Sequence, residues 1–244
     1  TSKLVKVFDL ASGEVLYQIK KHSEWVTQVS FSPDGILLAS ADRNGGLHVW
    51  EAGTGNPFYS LIGHKAEITD LSWRADGNVL LSASEDGGIR TWEMINGKSV
   101  KTWTAHSAGT LSAHFDEKGQ VVSSGRDKTV KLWDQNGKGI RTVSGFKDIV
   151  MEARLSHDGA KIISGDWSGE IKVWNSADGK LLRTLSGNPP SIESRIAQAR
   201  SFLEKSRKDY ETSNRKLEPL VQAVEQAKSV LNQEKNVLNG HEDK

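Results

Sequence analysis

A serine, a histidine and an aspartate within reach of one another could form a nucleophilic triad, with the imidazole taking the hydroxyl proton and the carboxylate orienting the ring. His64, Ser82 and Asp86 make one such set, followed by Trp92, and His106, Ser123 and Asp127 make another, followed by Trp133. The repetition argues against catalysis. An enzyme needs one such site, whereas a polar set copied from unit to unit reads as scaffolding, with its members buried away from substrate. No enzymatic activity is therefore expected. A buried His, Ser and Trp N–H all need partners, and a relay ending on an acceptor carboxylate satisfies them together.

Other arrangements with chemical potential fail on spacing. Gly97-Lys98-Ser99 resembles the end of a phosphate-binding loop, but the glycine required five positions earlier is Trp92. Gly53-Thr54-Gly55 would need a third glycine where Phe58 stands, so there is no dinucleotide fingerprint. His48, His114 and His157 have no second ligand at a metal-binding spacing along the chain and are expected to be solvated or packed. Neither a cofactor nor a metal is expected.

The elements that carry these residues recur. Phe8-Asp9, Trp50-Glu51, Trp92-Glu93, Trp133-Asp134 and Trp174-Asn175 fall 42, 42, 41 and 41 residues apart. Between them lie matching turns, Ser32-Pro33-Asp34-Gly35, Arg74-Ala75-Asp76-Gly77, Asp116-Glu117-Lys118-Gly119 and Ser156-His157-Asp158-Gly159, whose glycines suit the positive φ of a tight hairpin. Each unit reads as four short strands, as in 68–73, 79–84, 88–93 and 99–104, and a period near forty marks a propeller or solenoid. Four units are complete. The segment from Leu4 to Ile19 supplies only two strands before the first of them.

These marks resemble WD40 repeats over roughly residues 4–187. The resemblance implies a mainly β fold, a β-propeller of four full blades and a half blade within a seven-bladed ring; the sequence beyond it reads as a long α-helix. It also implies that His64, Ser82, Asp86 and Trp92 form one buried tetrad and His106, Ser123, Asp127 and Trp133 another. In the first full unit His22, Ser40 and Trp50 match but Asn44 stands for the aspartate, predicting a neutral bond and a weaker blade. In the last, Phe146 and Ser168 replace His and Asp, leaving Ser164 and Trp174 and predicting that packing replaces the network. The family's usual partner face maps onto Trp25, Thr27 and Arg43, then Glu67, Thr69 and Glu85, Gly109, Leu111 and Arg126, and Ile149, Met151 and Trp167. Trp25, Arg43, Glu67, Glu85, Arg126, Met151 and Trp167 are the partner-binding candidates, a face with a large share of interface-prone Trp, Arg and Met. Local packing of Trp25 and Trp167 on their own turns is the competing reading.

The 244 residues, 36% hydrophobic and 26% charged, suit a folded globular chain. Lys and Arg number 32 against 31 Asp and Glu, so no net field recruits nucleic acid, and neither nucleic acid nor a membrane is expected as a partner. The absence of Cys excludes disulfides and thiolate metal sites and leaves the compartment open. The cytoplasm is the default. Because the N-terminal strand pair looks like the outer half of a blade, further blades are expected upstream, with a second chain closing the ring as the alternative.

Asn188-Pro189-Pro190 ends the repeats as a stiff junction. From 191 to 239 glycine is absent, and Ile196, Leu203, Tyr210, Leu217, Val224, Leu231 and Leu238 recur every seven residues, with weaker apolar positions four before each. This heptad pattern predicts a coiled-coil helix, kinked near Pro219 but not reversed there, of about 70 Å, followed by a disordered tail over 240–244. Homo-oligomerisation through this helix and its packing on its own propeller both remain open. The combination also resembles bacterial multidomain proteins in which a c-type haem domain precedes WD40 repeats and a coiled coil, implying a periplasmic setting and a haem outside this sequence. The expected function is a non-enzymatic protein-interaction scaffold, with an accessory module of a larger redox protein as the alternative.

Overall fold

The computed structural model describes residues 2–185 and 192–242, with side chains as far as 231. The chain divides into two compact units, Thr1–Gly187 and Asn188–Lys244. The expected proline junction at 188–190 lies outside the described residues.

In the first unit the alternating apolar pattern folds into short antiparallel strands. β1 (Val5–Phe8) and β2 (Val15–Ile19) form a two-stranded sheet. Four four-stranded sheets follow: β3 (Val26–Phe31) to β6 (Pro57–Leu61), β7 (Ile68–Trp73) to β10 (Ser99–Thr104), β11 (Thr110–Phe115) to β14 (Gly139–Val143), and β15 (Val150–Leu155) to β18 (Leu181–Leu185). They are called blades 1 to 4. Each is a meander in which successive strands pair, because short turns join them. The turn glycines Gly35, Gly77, Gly119 and Gly159 have φ of 72°, 70°, 77° and 72°, a conformation in which a Cβ would be strained.

The first strands β3, β7, β11 and β15 lie side by side, and side-chain hydroxyls bond to backbone groups across them. Thr27 Oγ1 donates to Ile68 O at 2.6 Å and Thr69 Oγ1 to Thr110 O at 2.8 Å. Ser72 Oγ accepts from Phe115 N at 3.1 Å, and Ser112 Oγ from Ala153 N at 3.1 Å. Apolar layers fill the gaps between blades: Ala39, Val49, Ile68 and Leu71 between the first two, Leu81, Ile89, Ala113 and Val121 between the next, and Val122, Val130, Val150 and Ile162 between the last.

The strand pair β1–β2 packs on blade 1 through Val5, Ile19, Leu38 and Trp50, in the place of a preceding blade's outer half. It leaves the inner part of that face bare. Val29 and Phe31 are 53% and 54% exposed, whereas their counterparts Leu71 and Trp73 in blade 2 are buried. At the other end Ile163 is exposed, although Ala39, Leu81 and Val122 at the same position are fully covered. The array is an open arc of four blades and a half, as the repeat count predicts.

Among its described residues the second unit contains a single helix, α1 (Ile192–Glu242), continuous through Pro219. The chain does not reverse there. The helix runs beyond Asn239, where the sequence expectation ended it, so that 240–242, expected in a disordered tail, are helical; 243–244 lie outside the described residues. Ile196, Leu203, Tyr210, Leu217, Val224 and Leu231 are all exposed, and the side chain of Leu238 lies outside the described residues. Among the described residues, no helix is long and apolar enough to cross a membrane.

Candidate functional site

In blade 2, His64 Nδ1 lies 2.9 Å from Asp86 Oδ2 and Nε2 lies 2.8 Å from Ser82 Oγ. Trp92 Nε1 donates to the same hydroxyl oxygen at 2.9 Å. Blade 3 repeats this with His106, Asp127 at 2.8 Å, Ser123 at 2.9 Å and Trp133. A carboxylate only accepts, which places the imidazole hydrogen on Nδ1; Nε2 then accepts from the serine and the indole donates to it. Burial holds His64 and His106 below the ordinary histidine pKa despite their Asp partners, consistent with neutral rings. The order of groups is that of a hydrolytic triad. Yet Ser82 and Ser123 are fully buried and their oxygens already engaged, so no substrate carbonyl can reach them.

Blade 1 corrects the sequence expectation. Asn44 is not the fourth member of its tetrad: His22 Nδ1 pairs with Asp42 Oδ2 at 2.9 Å, and Nε2 lies 2.7 Å from Ser40 Oγ. Asp42 ends β4 (Leu37–Asp42), two residues before the position where Asp86 and Asp127 stand. Its Oδ1 accepts from Asn44 N and Gly46 N, so the turn is held as well. The predicted weaker blade is thus a complete one, and alignment by turn position alone missed the substitution.

Blade 4 keeps Trp174 Nε1 donating to Ser164 Oγ at 2.9 Å. Phe146 fills the place of the imidazole, its ring centroid 5.4 Å from that of Trp174. Packing has replaced the histidine, as expected. Asp166, the counterpart of Asp42, remains: Oδ1 accepts from Ser168 N and Glu170 N, while the buried Oδ2 has no hydrogen-bond partner among the described residues.

The residues predicted for partner binding occupy equivalent places. In each blade the turn after the second strand bonds to the loop before the first: Arg43 N to Trp25 O, Glu85 N to Glu67 O, Arg126 N to Gly109 O and Trp167 N to Ile149 O, at 2.9 to 3.1 Å. Their side chains link neighbouring blades. Arg43 Cζ lies 5.5 Å from the Trp25 ring centroid, and its Nε lies 3.3 Å from Glu67 Oε2. Arg126 grips the Glu85 carboxylate through Nε at 2.8 Å and NH2 at 2.6 Å. Four of the predicted charges therefore already have partners, and Trp25 packs on its own turn. Between blades 3 and 4 the arrangement opens. Leu111, Arg126, Asp148, Ile149, Met151 and Trp167 line a pocket of about 430 Å³, and Trp167 is 68% exposed at its edge.

His114 is the further departure from expectation. It is neither solvated nor simply packed: Nε2 lies 2.8 Å from Asp70 Oδ2 and 2.8 Å from Glu152 Oε1, joining the first strands of blades 2, 3 and 4. These carboxylates raise its pKa against the opposing effect of burial, which is the largest single influence. The three residues lie 44 and 38 positions apart, so no local spacing could show them. His48 is packed against His22 and Trp50, and burial pushes its pKa down to about 4; His157 is exposed, 3.6 Å from Glu117.

The profile described as WD domain, G-beta repeat, matches residues 13–51, 55–93, 97–134 and 137–175. Among relatives, the small ribosomal subunit protein RACK1y of Oryza sativa subsp. japonica is 30% identical over 87 residues, 29% of this chain and 26% of its own length. Autophagy-related protein 16 of Arabidopsis thaliana is 28% identical over 75 residues, 30% of this chain and 15% of its own. Apoptotic protease-activating factor 1 of Rattus norvegicus is 36% identical over 76 residues, 31% of this chain and 6% of its own. The matched segments thus span about a quarter or less of these relatives. The crystal structure of the computationally designed Ika8 protein superposes with a TM-score of 0.67 at 30% identity, covering 75% of this chain and 56% of that one.

Proposed function

Because the chain belongs to the WD40 repeat family, we propose that it is a non-enzymatic protein-interaction scaffold whose partner seats on the face carrying Trp25, Arg43, Glu67, Glu85, Arg126, Met151 and Trp167. WD40 proteins generally bind protein partners. The observation that carries the finer reading is the pocket between blades 3 and 4, where apolar Leu111, Ile149, Met151 and Trp167 surround an opening beside the charged Arg126 and Asp148. An exposed Trp rimmed by polar groups is a common anchor of protein interfaces. The paired charges Arg43–Glu67 and Glu85–Arg126 extend the face over blades 1 to 3 and contribute to orientation rather than to affinity.

The test compares partner capture by the full chain with that by Trp167→Ala combined with Met151→Ala. Both side chains are solvent-facing, so the thermal transition should be preserved while one or more captured proteins disappear. An unchanged set of captured proteins with unchanged stability would remove this face from consideration.

In the same reading, α1 associates with a second copy of itself. Support comes from the exposed seam Ile196, Leu203, Tyr210, Leu217, Val224 and Leu231, an apolar stripe at heptad spacing on a helix that continues through Pro219. Sedimentation of the full chain should give a concentration-dependent dimer that Leu203→Lys with Leu217→Lys abolishes. A monomer at all concentrations would rule the association out.

A further inference from the structure

Asp70, His114 and Glu152 come from three different blades and converge on one point. Asp70 and Glu152 are the third residues of β7 and β15, and His114 is the fifth of β11. Nε2 of His114 has one hydrogen to give, yet lies 2.8 Å from a carboxylate oxygen on each side. All three ligand atoms lie within 4.8 Å of one another. A single N–H serves two acceptors poorly, whereas a cation held by one nitrogen and two oxygens serves all three.

We propose that Asp70 Oδ2, His114 Nε2 and Glu152 Oε1 form a binding site for a divalent transition cation of the Zn²⁺ class. The donor set points to that class: imidazole suits Zn²⁺, Co²⁺ and related ions, whereas Ca²⁺ and Mg²⁺ take oxygen ligands. Two carboxylates and a neutral imidazole balance a charge of +2. From the doubly protonated ring, the Nε2 hydrogen leaves to solvent as a proton, the nitrogen–metal bond takes its place, and Nδ1 keeps its hydrogen, so the ligating imidazole is neutral.

The supports differ in stiffness. Asp70 is anchored, its Oδ1 accepting from Leu71 N and its Oδ2 from Ala113 N, both at 2.9 Å. His114 is buried on the central blade. Glu152 is 52% exposed, and the same Oε1 that faces His114 accepts from Arg154 Nε at 2.9 Å, a bond the half-exposed arginine can release as the ion enters. Ligands roughly 2.1 Å from a common ion stand about 3.0 to 3.4 Å apart, so the pairs must open by a few tenths of an ångström. Glu152 can supply that movement for its own pair and is the side from which the ion enters, while the Asp70–His114 pair opens by a small rotation of the imidazole. Three protein ligands leave room for water on the metal, and the bound ion ties blades 2, 3 and 4 together at their inner strands.

The experiment titrates the metal-stripped full chain with Zn²⁺ by calorimetry and with Co²⁺ by visible absorption. One site per chain is expected, with Co²⁺ bands reporting a nitrogen ligand, and Zn²⁺ raising the thermal midpoint by mass action. Glu152→Gln should weaken binding by about tenfold or more, by loss of a charged ligand. His114→Gln should abolish the Co²⁺ bands, and His157→Gln should change nothing. Should His114→Gln fail to fold, the exposed Glu152→Gln variant decides the matter. Absence of saturable binding in the parent chain, or equal affinity in parent and Glu152→Gln, would mean an adventitious ion only and overturn the assignment.

Discussion

Replacing Phe146 with histidine should rebuild the missing polar relay of blade 4. Asp166 already stands as Asp42 does: each uses Oδ1 to accept turn amides, and each buries Oδ2. In blade 1 that second oxygen meets His22 Nδ1 at 2.9 Å; in blade 4 it has no hydrogen-bond partner among the described residues. An imidazole at 146 would donate to Asp166 Oδ2 and accept from Ser164 Oγ, which already receives the Trp174 indole and would give up its long 3.4 Å bond to Lys172 O. A bond to a charged group contributes about 1.5 to 3 kcal/mol and a neutral one about 1 kcal/mol. Against this stand roughly 2 kcal/mol of lost apolar burial and, because Lys172 is itself buried, about 1 to 2 kcal/mol from its ammonium 5.0 Å from the Phe146 ring centroid. The net is close to zero. The coupling is more diagnostic than the net. In an Asp166→Asn background the carboxylate acceptor is gone, so a double-mutant cycle between Phe146→His and Asp166→Asn should show about 2 kcal/mol of interaction. For a domain of this size that is roughly 4 to 8 °C in thermal midpoint, measurable by calorimetry or by urea unfolding followed through tryptophan fluorescence. If the two substitutions add to within about 0.5 kcal/mol, Asp166 is not poised as Asp42 is, and the argument fails.

In blade 1, Asp42→Ala should cost about 3 kcal/mol because it strips His22 and two turn amides of their acceptor, while Asn44→Ala should stay within about 0.5 kcal/mol; urea midpoints that rank the two in reverse would restore Asn44 as the acceptor. Lys128 has φ of 60° where blades 1, 2 and 4 have Gly45, Gly87 and Gly169, so Lys128→Gly should relieve about 1 kcal/mol of left-handed strain, less the bond from its ammonium to Lys147 O; a lowered thermal midpoint would show that bond to be the larger effect. Burial depresses the pKa values of His48, His64 and His106 below the unfolded value of 6.5, so the unfolded chain takes up their protons first as pH falls. Their stabilisation is complete above pH 6.5 and declines from there towards about pH 4, the value to which His48 is pushed. His114, raised instead, acts in the opposite sense above 6.5. Urea midpoints at pH 7, 6 and 5 should therefore fall, less steeply in His48→Gln; a flat profile in that window would contradict neutral buried rings.

Periodicity made the blades legible. Phe8, Trp50, Trp92, Trp133 and Trp174 keep one phase because each closes the same four-strand meander, and the turn glycines mark where the chain must take positive φ. The tetrads of blades 2 and 3 were readable for the same reason, since a buried relay needs fixed residue types at fixed separations. Blade 1 was misread because Asp42 and Asp86 reach the same imidazole from places two residues apart, and only the path of the backbone shows that both carboxylates arrive.

The candidate sites divide along the same line. Repeat phase put Trp25, Arg43, Glu67, Glu85, Arg126, Met151 and Trp167 at equivalent turns and loops, and heptad phase laid out the seam of α1, because both are local periodicities that a single chain displays in order. What fills or empties the space between those residues depends on neighbours about forty positions away. Tertiary structure paired Arg43 with Glu67 and Arg126 with Glu85, opened the pocket beside Trp167, and left Val29, Phe31 and Ile163 bare at the ends of the arc. It also turned His64, Ser82 and Asp86, a set whose types suggest hydrolysis, into a sealed brace, while His114, solitary in sequence, became the meeting point of three blades. Chemical potential is written in residue types; whether it faces solvent, a partner or another carboxylate is decided by which strands the fold lays side by side.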